Sequence, residues 1–249
     1  MSPTEGTADD GPLTGGVPSH LASVRRRIDA AAERAHRSRA DILLVAVSKT
    51  FPADAVRAAA EAGQRDFGEN RVQEGLDKID VLRASALTWH LIGPLQTNKA
   101  KKAAAAFGWI QTLDRPDLLK KLDAAAHELG MKPRVLVQVN LAREEQKHGT
   151  DEAAARDLVR AAMDARALDL RGLMIVPPFP TDPEDSRPWF RRLRELRDRL
   201  VSDGVPADRL RELSMGMSHD FEVAIDEGAT MVRVGTAIFG RRTPPPPEP

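Results

Sequence analysis

Apolar positions change their spacing along this chain in a regular way. From His20 to His36 they recur three and four residues apart, at Leu21, Val24, Ile28, Ala31 and Ala35, with arginines between them. That spacing lays one apolar stripe along a helix. Residues 42–48, ILLVAVS, are then apolar almost without a break, the pattern of a strand buried on both faces. The two patterns continue to alternate. Strands are predicted at 42–48, 65–68, 88–92, 109–113, 134–139, 170–176, 212–215 and 230–234. Helices are predicted between them at 53–62, 70–83, 97–106, 115–129, 151–166, 184–203 and 218–227, with Trp189, Leu193, Leu196 and Leu200 marking the buried face of the sixth. Asp114, Asp151 and Ser218 stand where helix N-caps are expected. Gly63, Gly130 and Gly204 stand just past helix ends, where a left-handed residue closes the last turn.

Eight strands alternating with helices in 249 residues meet the requirement of an α/β fold of the (β/α)8 TIM barrel type in a single domain. A doubly wound open sheet fits most of the same pattern. The count of eight favours the barrel; the shortness of 65–68 and 212–215 counts against it. No linker-like composition interrupts residues 17–242. Residues 1–16 are small, polar and glycine-rich, and 243–249, TPPPPEP, are a proline run. Both are expected to be disordered tails.

Composition narrows the function classes. Lys and Arg number 37, and so do Asp and Glu. A balanced charge gives no electrostatic footprint for nucleic acid or an anionic membrane. The chain has no cysteine, which excludes disulfides, thiolate nucleophiles and zinc-cysteine sites. No apolar run reaches the ~18–20 residues of a membrane span. The N-terminal MSPTEGTADDGPLTGG is acidic and has no apolar h-region, so it does not read as a signal peptide. A cytoplasmic location is expected.

In a barrel the residues that follow the strands share one rim, and the chemistry sits there. Here they are Lys49, Glu69–Asn70, Gly93, Asn140, Pro177–Pro178, Met215–Gly216, Arg233, Gly235 and Thr236, with His90 inside the third strand. The set lacks HExxH spacing and is poor in paired carboxylates, so metal hydrolysis and glycosidase chemistry lack their parts. Lys49, at the end of the run LLVAV, is either a solvated rim charge or an amine in a partly apolar surround. In the second case its lowered pKa frees a lone pair to attack an aldehyde. In VRVGTAIFG, Gly235 allows close backbone approach, and the amides of Gly235, Thr236 and Ala237 can face an anion; a plain turn glycine with a capping threonine has the same spacing. Arg233, if it points inward, needs a phosphate, a pyridine nitrogen or an internal carboxylate beside it. Ser214 and Ser218 offer hydroxyls, Ser218 also as an N-cap. Asn70 either faces a ligand or caps the next helix. His219 and the basic run 99–102 read as surface.

Taken together, VAVSKTFP, DFGENRVQE, WHLIGPLQTNK, QVNLAREEQKHG, LRGLM and LSMGMSHDFEVAIDEGATMVRVGTAIFGRR resemble the pyridoxal phosphate homeostasis protein family. These are single-barrel relatives of the N-terminal domain of bacterial alanine racemase. The resemblance runs from about Leu21 to Arg242 with every block in order. It implies that Lys49 is the Schiff-base lysine for pyridoxal 5′-phosphate. It implies that Arg233 faces the pyridine nitrogen or the phosphate, and that Ser214, Ser218, Gly235 and Thr236 hold the phosphate. Asn70 would lie beside the ring, and His90 and Met215 would line the pocket. Where this chain has Arg71, many members carry tyrosine, which reads as a surface difference.

The resemblance also bears on turnover. Alanine racemase uses the cofactor lysine and, from a second domain of its partner subunit, a tyrosine. No second domain follows the barrel here, and the chain has no tyrosine. The expectation is therefore a binding protein that maintains vitamin B6, and indirectly amino-acid, homeostasis, acts as a monomer, and passes its cofactor transiently to apo-enzymes. Two alternatives stay open: a weak amino-acid racemase or lyase on the same lysine, and an aldolase-like barrel that uses the lysine without a cofactor.

Overall fold

The structure, a computed structural model, describes residues 16–142 and 148–240. The tail expectations for 1–15 and 243–249 lie outside the described residues; Gly16 is the N-cap of the first helix. The strands are β1 (Leu43–Val47), β2 (Asp66–Glu69), β3 (Thr88–Leu91), β4 (Trp109–Leu113), β5 (Arg134–Val139), β6 (Asp169–Ile175), β7 (Glu212–Met217) and β8 (Met231–Val234). They form a closed barrel in sequence order, with β8 parallel to β1 through pairs such as Val45 with Arg233. That pairing excludes the open sheet. The helices are α1 (Val17–Arg34), α2 (Ala53–Glu61), α3 (Val72–Val81), α4 (Ala100–Ala106), α5 (Pro116–Leu129), α6 (Glu152–Met163), α7 (Arg187–Ser202), α8 (Phe221–Asp226) and α9 (Thr236–Phe239).

Alternation along each strand sorts side chains into two compartments. Val232 and Val234 of β8 face the helices and join the large outer core. Met231 faces the lumen and packs with Trp109, Leu136 and Met174 into a second, smaller cluster. This cluster plugs the barrel near the strand N-termini. Above it the lumen is polar, and that is where the site is built.

The caps divide. Asp151 accepts from the N–H groups of Ala153 and Ala154, both at 2.9 Å, and caps α6 as expected. Asp114 does not cap α5; Arg115 holds that position ahead of Pro116, and Asp114 pairs with the Arg115 guanidinium at 2.7 Å. Ser218 does not cap α8 either. Strand β7 runs on to Met217, the helix starts at Phe221, and Asp220 becomes its N-cap. Gly63, Gly130 and Gly204 take φ of 84°, 64° and 96°, the left-handed region expected of them. Two predicted helices, 97–106 and 184–203, open with short 3-10 turns before α4 and α7. Among the described residues no helix is long and apolar enough to cross a membrane.

Candidate functional site

A cavity of about 730 Å3 opens at the strand C-termini. Lys49 reaches it from the turn after β1, Asn70 from the end of β2, Ser218 from the loop after β7, and Arg233, Gly235 and Thr236 from β8 and the start of α9. Six of the sequence-predicted positions thus line one cavity. Asn70 is brought there by a close backbone contact. A Cβ at Gly93 would lie 2.2 Å from the Asn70 carbonyl oxygen, so only glycine lets the two strand ends approach this far.

Arg233 lies at the floor of the cavity and is 4% exposed. Its guanidinium donates to Ser214 Oγ at 2.7 Å and to the Ile175 carbonyl at 2.8 Å. Among the described residues no carboxylate forms an ion pair with it. Burial pulls its pKa down to about 10, opposed by the charge of Asp220, and it remains cationic at neutral pH. The Asp220 carboxylate is itself held, by Ser186 Oγ and the Met217 N–H, both at 2.7 Å.

Ser218 Oγ accepts from the N–H groups of Gly235 at 3.1 Å and Ala237 at 3.3 Å. These two amides converge on one oxygen, an arrangement suited to an anion. The N-cap expected of Ser218 is thus replaced by a bond across to the β8 end.

Three predicted residues do not line the cavity. Ser214 is fully buried beneath Arg233 and reaches the site only through it. His90 lies deeper, stacked on Trp109 at 5.5 Å and bonded to Gln111 and Asp66, each at 3.0 Å. Burial lowers the His90 pKa, with the Asp66 bond opposing, so the ring is neutral. Met215 points away, into the outer core. Simple alternation accounts for it, because Ser214 before it faces the lumen; only beyond it does Gly216, with φ of +89°, break the alternation of β7. The register shifts between Ser214 and Met217, and Met217 takes the lining position instead.

Ser214, Gln111 and His90 form a directed chain. Arg233 donates to Ser214, Ser214 donates to Gln111 Oε1 at 2.6 Å, and the Gln111 amide donates to His90 Nδ1. The tautomer protonated at Nε2 completes it toward Asp66. Donors thus point one way through the lumen, from a cation at the floor of the site to a carboxylate at the far end.

Sequence reasoning missed Ile92, Val176, Met217, Phe179 and Asp220. Phe179, 82% exposed, stacks on His219 at 5.8 Å on the lip of the cavity. The signal for it was an aromatic among four prolines, 177–183, a composition that places a side chain without burying it. His219 is exposed, as read. Arg71 is exposed and lines a second, adjacent cavity of about 800 Å3 that shares Asn70. Among the described residues no group of three or more His, Cys, Asp or Glu is arranged to hold a metal.

Residues 19–243 match the family described as alanine racemase, N-terminal domain. The chain belongs to that family. Within it, the chain is 44% identical over 222 residues to the pyridoxal phosphate homeostasis protein of Aquifex aeolicus, which covers 89% of this chain and 96% of the relative. The protein of that name from Escherichia coli is 43% identical over 232 residues, 91% of this chain and 97% of the relative. PipY of Synechococcus elongatus, solved with PLP bound, superposes with a TM-score of 0.80 at 40% identity, over 90% of this chain and 100% of that one. An alanine racemase from Clostridium difficile, 15% identical with a TM-score of 0.70, covers 91% of this chain and is 58% covered by it; that likeness is one of fold.

Proposed function

We propose that this chain binds pyridoxal 5′-phosphate through Lys49, and that it holds the cofactor and hands it on to apo-enzymes rather than turning over a substrate. One observation carries the proposal: Lys49, the buried Arg233 and the Ser218 hydroxyl that gathers the Gly235 and Ala237 N–H groups all line a single cavity. Each suits one part of the cofactor. The amides of Gly235 and Ala237, with Ser218 and Thr236 beside them, suit the phosphate. Arg233, a separate cation at the floor, suits the pyridine nitrogen. Lys49 suits the aldehyde.

Lys49 would hold the cofactor through a C=N bond from its Nζ to the aldehyde carbon, the carbonyl oxygen leaving as water. The cofactor supplies an electron sink when its ring nitrogen is protonated. A guanidinium donating to that nitrogen would keep it unprotonated, so Arg233 in that place would weaken this sink. The absence of tyrosine removes the racemase second base. The relatives named for pyridoxal phosphate homeostasis and the PLP-bound PipY structure support the same assignment. In this role the protein works as a monomer in the cytoplasm.

Titration of the purified protein with pyridoxal phosphate, followed in the visible spectrum, tests the proposal. A saturable band at one equivalent, absent in Lys49→Ala, is expected, with no interconversion of alanine or serine enantiomers. An unchanged band in Lys49→Ala would overturn the assignment. Enantiomer turnover lost in Lys49→Ala would make the protein a racemase.

A further inference from the structure

Lys49 sits in a tight turn. The N–H of Phe51 donates to the Ser48 carbonyl at 3.1 Å, which makes Ser48, Lys49, Thr50 and Phe51 the four residues of a β-turn. Its third residue, Thr50, has φ of +70°. Turns with a left-handed third position ordinarily place glycine or asparagine there. A β-branched residue in that region is disfavoured and persists only where its surroundings over-determine it.

The surroundings come from β2 and α3. Lys78 is 6% exposed and Glu69 is fully buried. The Lys78 ammonium donates to the Ser48 carbonyl at 2.7 Å, to Glu69 Oε1 at 2.7 Å and to Glu74 Oε1 at 2.9 Å. Ser48 Oγ donates to the same Glu69 oxygen at 2.6 Å. The Thr50 N–H donates to Glu74 Oε1. Both neighbours of Lys49 are therefore tied to one trio of charges, two of them buried. Glu74 and Lys78 lie one helical turn apart on α3, and Gly75 between them allows the helix to come this close. A Cβ there would meet the Phe107 ring at 2.5 Å.

A buried ion pair of this kind contributes little net stability over an apolar replacement, so stability alone does not account for it. Its bonds lead to the backbone on either side of Lys49. Lys78 itself has three acceptors and does not line the cavity; Lys49 does. We infer that Lys78 and Glu74 are positioning residues for Lys49: they hold the 48–51 turn in the strained geometry that sends the Lys49 amine into the cavity. The inference rests on the pyridoxal phosphate assignment above and extends it to residues outside the cavity.

The test uses the full chain and pyridoxal phosphate, in wild type, Lys78→Met, Lys78→Arg, Glu74→Ala and each loss variant combined with Thr50→Gly. Three quantities are read: the cofactor dissociation constant, the visible circular dichroism of the bound cofactor, and far-ultraviolet circular dichroism for the fold. Lys78→Met and Glu74→Ala should weaken binding about ten- to a hundredfold, the scale of a small misplacement of a reacting group, and change the visible dichroism with the far-ultraviolet signal intact. Thr50→Gly should recover part of the loss in both, because glycine takes the left-handed conformation without the trio. Lys78→Arg should stand between Lys78→Met and wild type.

Wild-type affinity and visible dichroism in Lys78→Met and Glu74→Ala would overturn the inference, as would weakened binding with no recovery from Thr50→Gly. If Lys78→Met does not fold, Glu74→Ala decides alone, since Glu74 is only partly buried and its removal leaves Lys78 paired with Glu69. A wild type that binds no cofactor through Lys49 would overturn the underlying assignment, a failure distinguishable because it appears before any variant is made.

Discussion

Ser214 accepts a hydrogen bond from Arg233 at 2.7 Å and is closed off from the cavity that Arg233 lines. The serine therefore acts on a ligand through the arginine. Replacing it with alanine leaves one guanidinium N–H unsatisfied, and replacing Arg233 with glutamine removes the charge itself. Ser214→Ala should weaken cofactor binding by about 1 kcal/mol, and Arg233→Gln by about 1.5–3 kcal/mol, the usual range for hydrogen bonds to neutral and charged groups. Equilibrium dialysis of the two variants checks the order. Equal losses would place Ser214 in direct contact with the ligand.

Thr236 is exposed at the rim, and no packing depends on its side chain. Thr236→Ala should lower cofactor affinity while moving the thermal midpoint by no more than about 2 °C, as expected for surface changes within about 0.5 kcal/mol. A large fall in midpoint, seen by calorimetry, would give the threonine a structural role instead.

Gly93 offers the opposite case. Its missing Cβ is what lets the Asn70 carbonyl approach. Gly93→Ala should destabilise the barrel by about 1–3 kcal/mol, the cost of overpacking, and should displace Asn70 from the cavity. Urea unfolding measures the first effect. An unchanged midpoint would mean that the two strand ends separate freely.

The neutral His90 sets a pH dependence. Its folded pKa lies below the ordinary value of 6.5 because burial disfavours the imidazolium. As pH falls below about 6.5 the unfolded chain takes up a proton that the folded chain refuses, so stability is lost on acidification and is full above that value. The slope approaches about 1.4 kcal/mol per pH unit for one such group. Carboxylates with lowered pKa, such as Glu152 and Glu227, lose their contribution only below about 4.5, in a separate window. Glu69, held above the ordinary carboxylate value by burial, acts with the opposite sign, so unfolding free energy measured between pH 7 and 5 should fall more for wild type than for His90→Gln. Parallel curves would assign the loss to other groups.

The barrel was legible because burial on both faces leaves long apolar runs and because glycine and proline punctuate them. Strand and helix order follow from that alone. The cavity lining was legible where a residue stands just past a strand end, as with Lys49 and Asn70, or alternates inward within a strand, as with Arg233. It was not legible where the backbone departs from alternation. At β7 the positive φ of Gly216 turns Met217 inward, where strict alternation from Ser214 would face it outward, and nothing in the spacing of LSMGM signals this. Nor does spacing separate a hydroxyl that caps a helix from one that reaches across to another strand, which is how Ser218 departs from the N-cap expected of it. The Lys78 trio was invisible for a third reason. Its members come from a strand end and a helix, and only their shared contact with the Lys49 turn gives them a role.

The covalent claim at Lys49 is open to direct measurement. The protein is incubated with pyridoxal phosphate, reduced with borohydride, digested and mapped by mass spectrometry. A single stable adduct on the peptide that carries Lys49 is the predicted result. An adduct on Lys78, Lys99 or another lysine with Lys49 unmodified, or no adduct at all, would contradict it.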